Sequence, residues 1–157
     1  MPAPPPTDDR VPNWGAVWNA AKTRSRLHPL SVHGPGHWKA VERNGVMLAA
    51  ATPGADAALV RLFAMLHDCE RRTESTESEH GPRAAAFARS LNGVLFTLSE
   101  DDLSLLAFAC ERHEFGHVSE DPTVGCCWDA DRLDLPRVGI TPEARYMSTA
   151  VGRAACG

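Results

Sequence analysis

His37, His67, Asp68 and Asp131 are residues of the types that hold a divalent cation, and three well-separated stretches of the chain supply them. Imidazole offers a neutral nitrogen at working pH, and the carboxylates offset the ion's charge. Such a nitrogen and oxygen set suits Mn, Fe, Ni, Zn or Mg without singling one out, and a cation held with open positions activates water. The adjacent pair His67-Asp68 ends the most apolar helical stretch of the chain, which makes this set the best clue to chemistry.

The ligands can meet only if the elements that carry them pack together. From Asn13 the row Trp14, Val17, Trp18, Ala21 recurs at helical spacing. Pro35 suits the first turn of a second helix carrying His37, Val41 and Leu48, which Gly45 weakens slightly. Pro53-Gly54 breaks the chain, and Asp56 opens a strong helix in which Leu59, Val60, Phe63, Leu66 and His67 share or adjoin one face, so His67 points inward. Arg71 to Glu79 is polar and without period, hence a surface loop. Pro82 starts a short helix through Leu91, and Ser99 followed by three acids caps another running to about Arg112. A further helix spans Gly125 to Leu135. Alternating β-branched runs are nearly absent, so the expected class is all-α, a single-domain bundle of six or seven helices.

The 157 residues fit one domain with its own core, and 43% hydrophobic with 23% charged residues describe a packed globular protein. Residues 1–10 are proline-rich and acidic, the composition of an unstructured tail, and the domain is expected over 11–157. A net charge of -4 with no basic run argues against duplex nucleic acid as a partner. No apolar run spans a bilayer and no export signal follows Met1, so a cytoplasmic protein without a membrane partner is expected. The five cysteines lack paired C-x-x-C spacing and read as reduced thiols. Self-association is left open.

In this order the residues resemble the HD-domain superfamily of metal-dependent phosphohydrolases: a histidine on one helix (His37 in HWKAV), a His-Asp pair ending a second (His67-Asp68 in LFAMLHDC) and a later aspartate (Asp131 in WDADRLDL). The resemblance covers most of residues 30–150 and implies a helical bundle of the HD type, a divalent metal on His37, His67, Asp68 and Asp131, and a small phosphorylated substrate. Asp131 matches the family's A-D-x-L pattern, and Asp129 is then a neighbour able to orient a ligand or substrate. Asp68 is also the candidate catalytic group, as a ligand facing the water. Some members add histidines that hold a second metal, and His80 and His113 lie where such residues occur. The chain departs from two branches. Cys69-Glu-Arg-Arg follows His-Asp where the guanosine tetraphosphate hydrolases carry an acidic pair, and Gly116-His117-Val118 replaces the Gly-Tyr-Pro tract of the cyclic-dinucleotide branch. The alternative to a hydrolase is a metal- or nucleotide-binding regulatory module without turnover.

His33, in the loop before the second helix, can reach the same site as a substrate contact. Arginine outnumbers lysine heavily. A guanidinium fork matches phosphate oxygens at two points, and Arg71 beside the His-Asp pair, Arg72 and Arg132 are the candidates to bind substrate. A competing motif is His113-Glu-Phe-Gly-His117, which spells the H-E-x-x-H of zinc proteases. It requires both histidines on one helix, where Gly116 costs roughly 1 kcal/mol.

Overall fold

A computed structural model describes residues 7–156. Seven helices follow in order: α1 (Trp14–Arg24), α2 (Pro35–Ala50), α3 (Ala57–Leu66), α4 (His80–Leu91), α5 (Glu100–Arg112), α6 (Pro122–Arg132) and α7 (Ala150–Ala155), with short 3-10 turns at Leu135–Val138 and Ala144–Tyr146. Among the described residues the strand-like pairing is one isolated bridge between Asn92 and Phe96. The class is all-α, as the periodicity predicts.

The apolar run of α3 does more than present one face. Val60, Leu62, Phe63, Ala64 and Leu66 are all fully buried, so the helix is the axis of the bundle rather than a surface helix with a wet side. Packed against it are α1, α2, α5 and α6. Gly45 makes part of this possible. A Cβ there would sit 2.5 Å from Val60 Cγ1 and 3.6 Å from Ala130 Cβ, so the glycine lets α2 close onto α3 and α6. The loss of helix propensity at Gly45 is thus offset by contact.

Two expected boundaries shift. Helix α4 begins at His80, two residues before Pro82, and α6 begins at Pro122, which an Asp121 cap sets: its Oδ1 accepts from Thr123 and Val124 N–H, each at 2.9 Å. Of the tail expected over 1–10, Asp8 to Arg10 are instead held against the fold, and residues 1–6 lie outside the described residues. Arg10 donates to Asp8, Asp56 and Asp102 at 2.8–3.0 Å, and Val11 behind it is buried. Since Asp56 caps α3 and Asp102 lies in the first turn of α5, one guanidinium ties the chain start to two helix N-termini. Side chains cap five helices, from Asn13, Asp56, Ser99, Asp121 and Thr149, whereas α2 and α4 start with no side-chain cap.

Gly45→Ala should lower stability. Overpacking a stiff buried valine costs about 1–3 kcal/mol, against a propensity gain of about 1 kcal/mol. Thermal unfolding of Gly45→Ala, Val60→Ala and the double variant should show favourable coupling, the smaller side chain making room for the new methyl. Strict additivity would show that the close approach is not what limits residue 45.

Candidate metal centre

The proposed ligands arrive from the ends of five helices. His37 lies in the first turn of α2, His67 closes α3 with Asp68 next to it, His80 opens α4, His113 closes α5 and Asp131 lies in the last turn of α6. All four imidazoles and Asp68 are buried. Two groups of three can each hold a metal ion, His37, His67 and Asp131 in one and Asp68, His80 and His113 in the other, with the ligand atoms of each group within 4.8 Å of one another. In the first group His37 Nε2 lies 3.0 Å from Asp131 Oδ1 and 3.2 Å from His67 Nε2. In the second, His80 and His113 Nε2 are 3.0 Å apart.

The other ring nitrogens decide what those Nε2 atoms are. His67 Nδ1 donates to the carbonyls of Phe63 and Ala64 at 3.1 Å, His80 Nδ1 to Glu77 O at 2.6 Å, His113 Nδ1 to Cys110 O at 2.6 Å, and His37 Nδ1 to Asp134 Oδ2 at 2.7 Å. Carbonyl and carboxylate oxygens only accept, so each Nδ1 carries the proton and each Nε2 turns a lone pair inward. Two lone pairs facing one another at 3.0–3.2 Å in a buried site are repulsive unless a cation or a proton lies between them. The donor set therefore fits a metal ion.

Without a metal, protons take that role. Burial disfavours the His37 imidazolium, but hydrogen bonds to Asp131 and Asp134 outweigh it and raise its pKa to about 9. Burial likewise opposes ionisation of Asp68 and Asp131, yet the histidines around them hold both carboxyls well below the usual range. His113 is raised despite burial, chiefly by its hydrogen bond to Asp68.

Sequence reasoning missed the groups that hold the ligands. Asp134, three residues past Asp131 in the same acidic stretch, orients His37, and Arg137 in turn donates to the Asp134 carbonyl at 3.0 Å. The repeated Asp at that spacing was the available signal. Gly81 is the second: a Cβ would lie 2.8 Å from the carbonyl oxygens of Cys110 and Glu111, so only glycine lets α4 start against the end of α5 and bring His80 to His113.

His33 reaches the centre as expected, with Nδ1 3.9 Å from Asp68 Oδ2; burial first, then the Arg71 cation, lower its pKa. Arg71 Nε lies 4.0 Å from Asp68 Oδ1 with no hydrogen-bond partner, while its Nη1 is fixed by the Thr73 and Ser75 carbonyls. Arg132 is buried and borders a cleft of about 530 Å³ that His113 and Asp131 also line.

Two expectations are corrected. Asp129 does not face the centre; fully buried, it accepts from Ser148 N at 2.7 Å, Thr149 N at 2.8 Å and Thr149 Oγ1 at 2.7 Å, and so anchors the start of α7. Residues two apart on a helix point about 200° apart, so Asp129 and Asp131 cannot serve one site. Arg72 is exposed and lines a separate hollow with Arg24, Glu70 and Arg83. The H-E-x-x-H spelling has no helix under it either. His113 is the last residue of α5's cap, Gly116 takes φ +73° and His117 is exposed.

The sequence matches no family model and no curated protein. The fold is similar to the crystal structure of a predicted HD superfamily hydrolase from an uncultured Thermotogales bacterium, with a TM-score of 0.74, 22% identity, and 94% of this chain and 84% of that chain covered. The chain thus has the all-α fold of the HD type. The His/Asp groups described above stand within it as candidates to hold metal.

Metal must compete with the proton on His37. Apparent affinity for a divalent cation should therefore rise with pH up to about 9 and fall below it, by roughly tenfold per pH unit for each proton displaced. Calorimetry in two buffers of different ionisation enthalpy counts the protons released; an affinity flat between pH 6 and about 9 contradicts the assignment. Asp129→Ala should behave otherwise, losing about 2–4 kcal/mol of stability as three donors are left unpaired. Its metal content should match the parent's, measured on the folded fraction below its melting temperature.

Proposed function

We propose that the chain hydrolyses a phosphate ester of a small metabolite, nucleotides included, with one or two divalent cations held by His37, His67 and Asp131 and by Asp68, His80 and His113. The observation that carries this reading is the shared carboxylate. Asp68 Oδ2 lies 3.5 Å from both His37 and His67 Nε2, and Asp68 Oδ1 lies 3.2 Å from His80 and 3.3 Å from His113 Nε2. One residue thereby joins both ligand groups into a single centre. When bound, the cations would supply Lewis acidity, lowering the pKa of a water and polarising a phosphoryl oxygen.

The chain's own residues supply the rest. Arg71, with Nε 4.0 Å from Asp68 Oδ1 and Nη1 pinned by the Thr73 and Ser75 carbonyls, would hold a fixed positive charge beside a phosphoryl oxygen at the centre. Asp68 held ionised and His33 held neutral are the groups beside the centre able to accept a proton from the attacking water. The ester's leaving group has the cleft beside His113 and Asp131 to occupy.

Elemental analysis of the purified or reloaded protein should find about two ions per chain, one for each group. Asp68→Ala should lose both, a His80→Ala/His113→Ala variant should keep about one, and His117→Ala should keep both because that ring is exposed. Turnover of para-nitrophenyl phosphate should fall roughly 100-fold or more in Asp68→Ala and Asp131→Ala. Metal well below one ion per chain after reloading, or full turnover in Asp68→Ala, defeats the proposal.

A further inference from the structure

Arg72 does not join the metal centre; it lines a hollow of about 410 Å³ with Arg24, Arg83, Glu70 and Phe87. None of the six residues in the two ligand groups borders that hollow. Glu70, 9% exposed, organises two of its three guanidiniums. The Glu70 carboxylate pairs with Arg24 Nε, and its backbone carbonyl accepts from Arg83 Nε at 3.3 Å and Nη2 at 3.0 Å. Arg24 also lies over the Phe87 ring, 5.0 Å from its centroid, and Arg83 pairs with Glu77. Both forks are thereby held in place with donors to spare: Arg24 keeps both Nη groups and Arg83 keeps Nη1. Arg72 is fixed at its backbone, where the N–H donates to Glu77 Oε2 at 3.0 Å. Its exposed guanidinium has no hydrogen bond or ion pair among the described residues.

The charges around the hollow do not balance. Glu70 answers Arg24 and Glu77 answers Arg83, which leaves Arg72 uncompensated, and Arg26 adds a fourth guanidinium close enough to act on Arg83. Burial first, then the Arg72 and Arg26 cations, lower the Arg83 pKa, so the like charges oppose one another there. Glu74 of the same loop is felt at His33, beside the metal centre. An anion seated among these groups would relieve that repulsion, and planar guanidinium forks match the oxygens of an oxyanion. We propose that the hollow is a second anion site, separate from the metal centre, in which Arg24, Arg72 and Arg83 hold a phosphoryl dianion, either free phosphate or the end of a small phosphomonoester. A lone carboxylate brings one charge and two oxygens. A phosphoryl group brings close to two charges and three oxygens, one for each guanidinium and enough to offset Arg72 and Arg26. The site stands on its own geometry and requires no turnover at the metal centre.

The test follows the arginine Nε–H signals of the full metal-loaded chain by nuclear magnetic resonance while inorganic phosphate is added. Arg24, Arg72 and Arg83 should shift together and saturate with one midpoint. Arg71, beside Asp68, reports phosphate at the metal centre as a separate event. Potassium chloride at matched ionic strength controls for screening and should produce no saturating shift. Arg72→Met removes a side chain that holds nothing else in place, so the fold should survive; the midpoint read at Arg83 should then weaken at least about tenfold. Arg72→Lys, which keeps the charge and loses the fork, should fall between Arg72→Met and the parent. Arg145→Met, at an exposed arginine paired with Glu143 outside the hollow, should leave the midpoint unchanged. Glycerol phosphate binding as well as inorganic phosphate would identify the ester end as an accepted occupant, and much weaker binding would identify the free ion; either result supports the site. Shifts that never saturate, that chloride reproduces, or that keep the parent's midpoint in Arg72→Met overturn the proposal.

Discussion

A carboxylate buried among four imidazoles is the arrangement on which the rest of the molecule depends. Asp68 has left water almost completely, and a charge in that position is tolerated only where several donors or a cation surround it. Each imidazole must therefore be held in one tautomer at one angle, which four backbone carbonyls and the Asp134 carboxylate accomplish from behind. These constraints cannot be met by one element. They require helix ends from across the sequence to arrive at one place, with the ligand atoms of each group within 4.8 Å of one another.

The packing answers to that requirement. Because α3 is apolar on nearly every side, with Arg61 alone carrying charge, it is gripped by its neighbours and delivers His67-Asp68 from a fixed axis. Arg10 secures the opposite end of the same helix through Asp56, so its position along the bundle is held at both termini. The two close approaches at Gly45 and Gly81 set how far α2 and α4 may come in, and with them His37 and His80.

Much of this was readable from the chain. The apolar run before His67-Asp68, the proline that starts α2 before His37 and the acidic start of α5 all follow local rules, and they placed the helices correctly. The candidate ligands were chosen from residue types and order, and the fold brings those residues together. What local rules could not deliver was the view from the neighbouring element: a glycine counted as a weak point in α2 turned out to be its contact surface, and Gly81 acquires meaning only against the carbonyls of α5. Asp129 and Asp131 look equivalent in a string and point opposite ways on a helix. Arg71 and Arg72 differ in the same manner, one turned to Asp68 and the other to solvent.

The unequal capping of the helices has an electrical consequence at the centre. Three helices, α3, α5 and α6, bring their C-terminal ends to it, each carrying roughly half a negative charge from aligned peptide dipoles, beside two ionised carboxylates. The two helices that present N-terminal ends, α2 and α4, are those whose first N–H groups no side chain has claimed. Such a chamber favours cations, protons on the imidazoles included, and disfavours anions until its negative charge is offset. Binding at such a centre would in this way be ordered by the backbone itself, cation ahead of anion, with the amide donors of α2 and α4 that no side chain caps turned toward the second arrival.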